Sequence, residues 1–187
     1  MTFDDYKALI KDKMGEYRYI HSVNVSKEAV KLAKMYGADV EKARTAGILH
    51  DITKEMPYDE QLKLIEKSGI ILSDIEKRAP KLYHAISGSA YLRVNLHIED
   101  EDILNAVRYH TTARSNMSVL EKIIFLADFT SEERNYPDVD IMREKTYNSL
   151  SDGMLYGITY TIKSLLDKGA VVHPDALNAY NELVLDK

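Results

Sequence analysis

Apolar residues recur at helical spacing along almost the whole chain. In the first segment Phe3, Tyr6, Leu9 and Ile10 fall on one helical face, and Gly15 ends the pattern. The same periodicity predicts further helices up to the C-terminus. We predict helices at about 3–13, 16–36, 58–69, 81–96, 100–110, 119–129, 141–168 and 174–185. One more begins near residue 39 and reaches the segment 47–57.

Helix-start signals support this interpretation. Ser73 with Glu76, and Ser118 with Glu121, have the spacing of a capping box. Convincing alternation of apolar and polar residues is absent, apart from short β-branched stretches such as "GAVVH", and there is no repeat and no Pro-, Gly- or Ser-rich linker. The sequence therefore predicts one all-α domain over residues 1–187, a bundle of roughly eight to ten helices.

Composition narrows the class of protein. The apolar share of 45% and charged share of 29% are those of a soluble globular protein. No apolar run approaches the ~20 residues of a membrane span, and the acidic, amphipathic N-terminus is unlike a secretory signal. We expect a cytoplasmic protein that does not bind membranes. With no cysteine, thiolate metal sites are excluded.

The formal net charge of −5 argues against nucleic-acid binding, which needs a basic face. It leaves room for a small anionic ligand held by a few local cations, and it suits a protein that collects metal cations. Whether the chain is a monomer or a homodimer cannot be read from the sequence.

The segment "GILHDITKEMP" places His50 and Asp51 directly after an apolar run. Three interpretations are open: a helix end facing water, a histidine satisfied by a carbonyl, or metal ligation. Adjacent helical residues point about 100° apart, so the pair can converge on one ion only near a helix end. Lys54 lies on the same side, as a surface lysine or as a clamp for phosphate oxygens.

Asp128 continues a mostly apolar stripe through Ile124 and Leu120. A carboxylate aimed into a core is costly unless a cation or a metal pairs with it. The alternative is a frayed helix end that lets Asp128 reach water.

Three further histidines lie on inward stripes or at helix ends. His21 heads an apolar line, His84 has the small residues Ala85 and Gly88 near it, and His110 ends a helix. Each alone is more typical of a satisfied core histidine. Together with His50 and the two aspartates they form a nitrogen and oxygen donor set that suits Fe, Mn, Co, Ni or Zn. His97 and His173 fall outside this pattern, and we interpret both as structural.

The order His21, His50-Asp51, Asp128 resembles the H…HD…D pattern of the HD-domain metal-dependent phosphohydrolases. The segments "YRYIHSVNV", "AGILHDITKEMP", "LYHAISGSAYL", "AVRYHTTARSNMSVLEKIIFLADF" and "YPDVDIMR" together resemble the YqeK family of bacterial HD proteins over nearly the whole chain. The resemblance implies a core at about 16–130 that holds the metals, with C-terminal helices at about 141–185 packing on it.

It also implies symmetrical hydrolysis of diadenosine tetraphosphate to two ADP by a di-iron centre. One metal would take His21, His50, Asp51 and Asp128, and the second would take His84 and His110, with Asp51 bridging. Two departures from the family pattern bear on chain-length preference. Ala113 stands where a glycine is expected, and Ser131-Glu132-Glu133 stand where a Glu-Pro is expected.

Two adjacent metals would lower the pKa of a water, so that a metal-activated hydroxide attacks an inner phosphate. Asp51 and Lys54 are then the candidate catalytic residues. The candidate substrate contacts are Lys54, Thr111, Thr112, Arg114 and Arg134. Tyr83 and Tyr109 neighbour proposed ligands, and we interpret both as core or wall. Two alternatives remain: an HD phosphohydrolase acting on mono-, tri- or cyclic nucleotides, or a non-catalytic nucleotide-binding sensor.

Overall fold

The computed structural model describes residues 1–186, which form eleven α-helices, one 3₁₀ turn (Pro80–Leu82) and no β-strand. The all-α prediction is confirmed. The helices are α1 (Phe3–Lys13), α2 (Glu16–Tyr36), α3 (Val40–Leu49), α4 (Tyr58–Lys67), α5 (Asp74–Lys77), α6 (Tyr83–Leu96), α7 (Glu101–Tyr109), α8 (Val119–Thr130), α9 (Val139–Asn148), α10 (Leu150–Asp167) and α11 (Pro174–Leu185).

The helix count exceeds the prediction for two reasons. The single helix predicted at 141–168 is two helices, because Ser149 adopts an extended conformation and its side chain caps α10 at Asp152. The capping-box residues Ser73 and Glu76 begin a helix of only four residues, α5, which is too short to show a periodicity. Both predicted capping boxes are present in the structure.

Helices α2, α3, α7 and α8 pack around the main core, and α6 packs against α7. Large, fully buried side chains such as Leu32, Ile48 and Phe125 fill it. The C-terminal helices follow in sequence, α9 and α10 against α8, and α11 against α10. The division into a core at about 16–130 and C-terminal helices remains a prediction. Within residues 1–186, no helix is long and apolar enough to span a bilayer.

Two glycines set the distances between the helices that carry the site. A Cβ atom at Gly47 would lie 2.8 Å from the Cα atom of Ser26, so α3 touches the backbone of α2. A Cβ atom at Gly88 would lie 3.5 Å from the carbonyl oxygen of His50, so α6 approaches the end of α3 closely. These contacts bring the segments around His21, His50 and His84 together.

Candidate metal centre

Six side chains from five helices and their ends converge at one place. His21 lies in α2, His50 caps α3 with Asp51 directly after it, His84 is in the first turn of α6, His110 caps α7 and Asp128 is in the last turn of α8. The four histidines and Asp51 are buried, whereas the Asp128 side chain is partly exposed. The structure therefore brings together all six residues predicted to bind metal.

Asp51 lies at the middle of the cluster. Its Oδ2 atom is 3.5 Å from His50 Nε2 and 3.9 Å from His21 Nε2. Its Oδ1 atom is 3.5 Å from His84 Nε2 and 3.6 Å from His110 Nε2. Each carboxylate oxygen thus faces a different pair of histidines, which is the arrangement that a bridging ligand requires.

The backbone fixes the orientation of three of the four imidazole rings. In His50, His84 and His110 the Nδ1 atom lies 2.8, 2.8 and 2.7 Å from the carbonyl oxygen three residues earlier. If Nδ1 donates there, the lone pair of Nε2 points into the cluster. A hydrogen bond of this kind on the second ring nitrogen is typical of metal-binding histidines.

His21 is held by carboxylates on both sides. Its Nε2 atom lies 3.1 Å from Asp128 Oδ1, and its Nδ1 atom lies 2.5 Å from Glu133 Oε1. Burial lowers the pKa of His21, but these two hydrogen bonds outweigh burial and raise it. Burial raises the pKa of Glu133, but hydrogen bonds from His21 and Ser131 lower it to about 2.

The cluster contains buried polar atoms that the protein leaves unpaired. Among residues 1–186, His50 Nε2 and Asp51 Oδ1 have no hydrogen-bond partner although both are buried. Such atoms are rare in native proteins because each costs free energy. A metal cation would satisfy both, so the residues present fit a metal site.

The distances between donor atoms support the same conclusion. Three groups offer donor atoms that all lie within 4.8 Å of one another. They are His21–His50–Asp51, His50–His110–Asp128 and Asp51–His84–His110. Asp51 belongs to the first and third groups, on opposite sides of its carboxylate.

Electrostatics keeps most donors in the form that binds metal. Burial lowers the pKa of His50 to about 4 and that of His84 to about 3, so both rings are neutral at pH 7. Burial raises the pKa of Asp51, but the charges of the groups around it, that of His50 first, hold it well below its usual range. Neutral imidazoles and ionised carboxylates are the ligating forms.

Three cationic side chains contact the cluster. Lys54 Nζ lies 2.9 Å from His84 Nε2, and Arg18 Nη1 donates to Asp51 Oδ2 at 2.6 Å. Arg134 donates to Asp128 and lies 3.4 Å from His21 Nε2. Sequence reasoning missed Arg18, although it precedes His21 by three residues and so shares its helical face.

Of the other predicted substrate contacts, one lies at the cluster and two do not. Thr111 Oγ1 lies 3.2 Å from His84 Nε2, at the cluster. Thr112 donates to the carbonyl oxygen of Ala113 instead. Arg114 donates twice to the buried carboxylate of Glu121, at 2.6 and 3.1 Å. The structure does not bring Thr112 and Arg114 to the ligands, and their contact with substrate stays a prediction.

Residues interpreted as structural have structural partners. The buried Tyr83 donates its hydroxyl to Lys77 O at 2.8 Å. The Arg114 guanidinium lies over the Tyr109 ring, 4.5 Å from its centre. His173 caps α11, and His97 ends α6 in a left-handed conformation.

The loop departures also have local explanations. Ala113, where a glycine was expected, has a φ of 56°, a conformation that glycine adopts at lower cost. Glu133, in the segment where a Glu-Pro was expected, contacts His21. Its role was missed because it depends on how the loop after α8 folds back onto α2.

Comparison with known proteins places the cluster in a family. The HD domain model matches residues 18–132, a range that contains all six proposed ligands. The chain is 41% identical to the symmetrical bis(5'-nucleosyl)-tetraphosphatase of Halalkalibacterium halodurans, covering 96% of this chain and 95% of that one. It is 36% identical to the enzyme of the same name from Bacillus subtilis, with 98% of each chain covered.

A solved structure agrees over the full length. The chain superimposes with a TM-score of 0.96 on a predicted HD superfamily hydrolase involved in NAD metabolism from Clostridium acetobutylicum. The two sequences are 37% identical, and the match covers 100% of this chain and 99% of the other.

Proposed function

The chain belongs to the HD-domain family, and we propose that it is a metal-dependent hydrolase that cleaves diadenosine tetraphosphate symmetrically into two ADP molecules. One structural observation carries the proposal: the buried Asp51 carboxylate directs one oxygen to His21 and His50 and the other to His84 and His110. The nearly full-length similarity to symmetrical tetraphosphatases supplies the substrate class.

We propose two metal ions per chain, and iron as the metal. His21, His50, Asp51 and Asp128 would hold one ion, and His84, His110 and Asp51 the other. A ligand set made only of nitrogen and oxygen atoms fits iron, and it fits Mn, Co, Ni or Zn equally well. When bound, two such ions supply a water of lowered pKa and positive charge beside the phosphate oxygens.

The chain's own cations would bind the phosphates. Arg18 contacts the Asp51 oxygen that faces His21 and His50, Arg134 contacts Asp128, and Lys54 contacts the opposite side of the cluster at His84. Arg18 Nε is buried and has no hydrogen-bond partner among residues 1–186, so its guanidinium has a spare donor. Arginine and lysine donors to phosphate oxygens are strong, charge-assisted hydrogen bonds.

This placement suits a central cut of a tetraphosphate. Cleavage between the two inner phosphates leaves an ADP on each side, so positive charge is needed on both sides of the cluster. Lys54, together with the Thr111 hydroxyl, would stabilise the negative charge that develops on one departing ADP. Arg134 and Arg18 would hold the other half of the substrate in place.

Product analysis tests this function. The metal-loaded protein is incubated separately with diadenosine tetraphosphate, diadenosine triphosphate, ATP and a cyclic nucleotide, and the products are separated by chromatography. We expect ADP as the sole product from the tetraphosphate and at least about 10-fold slower turnover of the other compounds. ATP plus AMP would contradict symmetrical cleavage, and a preference for another nucleotide would favour that alternative substrate. Binding without turnover would favour the sensor.

A further inference from the structure

His21 differs from the other three histidines in where it lies along its helix. His50 and His110 cap helix C-termini, where the last carbonyl oxygens lack partners within the helix. Each can therefore share a carbonyl of its own helix. His21 is the sixth residue of α2 and lies inside it, where the carbonyl oxygens already accept backbone hydrogen bonds. Its Nδ1 atom needs an acceptor from elsewhere in the fold.

Glu133 supplies that acceptor from the loop after α8. Its Oε1 atom lies 2.5 Å from His21 Nδ1. The Ser131 hydroxyl donates to the same oxygen at 2.7 Å, and Asn24 Nδ2 donates to Oε2 at 2.9 Å. Both oxygens of the carboxylate are thus held, and the side chain is only 15% exposed.

The loop itself is fixed from α9. The Arg143 guanidinium donates to four backbone carbonyl oxygens, at 3.2 Å for Thr130, 2.9 Å for Ser131, 3.5 Å for Glu132 and 3.0 Å for Arg134. This clamp holds the chain on both sides of Glu133. The position of the carboxylate is therefore determined by packing and not by a mobile surface loop.

We propose that Glu133 is a positioning residue that holds His21 in the tautomer whose Nε2 atom binds the metal, and that it makes this metal position tighter than the one at His84 and His110. A carboxylate on the second ring nitrogen raises the basicity of an imidazole ligand. The Nδ1 atoms of His84 and His110 face neutral carbonyl oxygens and no carboxylate, and that of His84 also has the Lys54 ammonium group at 3.3 Å. The inference rests on the metal centre within the proposed function and does not depend on the substrate.

The test compares Glu133→Ala and Glu133→Gln with Glu132→Ala. Glu132 is the adjacent, exposed carboxylate, and its side chain forms no hydrogen bond or ion pair within residues 1–186. The first readout is the ¹⁵N NMR spectrum of the imidazoles in the metal-free protein, recorded at alkaline pH so that the His21 ring between its two carboxylates is neutral, and assigned with a His21→Gln variant. The second is anaerobic titration with Co²⁺, followed by visible absorption.

We expect His21 to carry its proton on Nδ1 in the wild type, in Glu132→Ala and in Glu133→Gln, whose amide oxygen can still accept. Glu133→Ala should lose this tautomer and weaken one of two Co²⁺-binding steps by about 10–100-fold. Glu133→Gln should weaken the same step by a smaller factor. If Glu133→Ala fails to fold, the Co²⁺ titration of Glu133→Gln decides.

An unchanged tautomer in Glu133→Ala would overturn the proposal, as would equal weakening of both Co²⁺ steps. Unchanged Co²⁺ affinity in Glu133→Gln would overturn the claim that Glu133 makes this metal position tighter. Neither readout uses a nucleotide. A wild type that fails to hydrolyse diadenosine tetraphosphate would therefore count against the proposed substrate and not against Glu133.

Discussion

At the residue scale, the site is built around one carboxylate that is too costly to bury alone. Asp51 is 3% exposed, and its Oδ1 atom has no hydrogen-bond partner among residues 1–186. The surrounding imidazoles lower its pKa against the effect of burial. Because its two oxygens face different histidine pairs, Asp51 is the residue on which both proposed metal positions depend.

We predict that Asp51→Asn removes both metals and lowers turnover by about 100-fold or more, since an amide is a neutral, weaker ligand. Metal content is measured by mass spectrometry and folding by circular dichroism. His84→Ala, in contrast, should weaken only one position. Loss of a single metal in Asp51→Asn would contradict a bridging role.

Lys54 tests the difference between a metal ligand and a substrate contact. Lys54 is exposed as a whole, but its ammonium group lies 2.9 Å from His84 Nε2. Desolvation of this group lowers its pKa, while the field of Asp51 acts in the opposite direction. We predict that Lys54→Ala keeps its metals but turns over about 10–100-fold more slowly, because a charge beside the phosphates is lost. Lys63→Ala, an exposed lysine that pairs with Asp59, serves as the matched control. Loss of metal from Lys54→Ala would contradict the assignment.

At the element scale, helix ends deliver the ligands. His50, His110 and the residues around His84 lie where helices begin or end, and close contacts at Gly47 and Gly88 set the helices at the required distances. This explains why ionisable residues interrupt apolar stretches in the sequence. The ends of four helices form the site, together with His21 from inside α2.

An ion pair between Glu76 and Arg108 holds α5 against α7, beside the helix that carries His84. The Glu76 carboxylate is 6% exposed. It accepts hydrogen bonds from the Arg108 guanidinium and from the backbone N–H of Ser73, the residue that precedes α5. Burial raises the pKa of Glu76, but the hydrogen bond from Arg108 outweighs burial and lowers it below the ordinary 4.5.

The ionised Glu76 therefore stabilises the fold above pH 4.5, and this contribution is lost as the pH falls through the lowered pKa. We predict that Glu76→Gln lowers the free energy of unfolding by about 1.5–3 kcal/mol at pH 7. The difference from the wild type should shrink toward pH 3. Urea unfolding at both values measures this, and a difference that does not change with pH would contradict the ion pair.

At the scale of the whole molecule, the sequence predicted the helical class and all six residues of the cluster. Helical periodicity is visible in the sequence, and several of the ligands follow directly where it is interrupted. The break at Ser149 was missed because a serine cap needs no glycine or proline. Arg18 and Glu133 were missed because their roles depend on tertiary contacts, α2 with the end of α3 and the loop after α8 with α2.

All the predicted ligands lie in the cluster, whereas only some of the predicted substrate contacts reach it, and the difference has a physical reason. A buried ligand must be paired, so its position is constrained, whereas a loop arginine can take any nearby carboxylate. Arg134 reaches Asp128, while Arg114 binds Glu121 instead. The nucleotide-binding assignment for this molecule therefore rests on its similarity to symmetrical tetraphosphatases and on the cations that do reach the cluster.

We propose that two metals held through Asp51 make this chain a symmetrical hydrolase. The most direct measurement is an anaerobic titration of the chelator-treated protein with Fe²⁺, following ADP formation from diadenosine tetraphosphate. We expect no turnover at the start and a plateau at about two equivalents per chain, with ADP as sole product. Full turnover in the metal-free protein, or a plateau at about one equivalent, would contradict it.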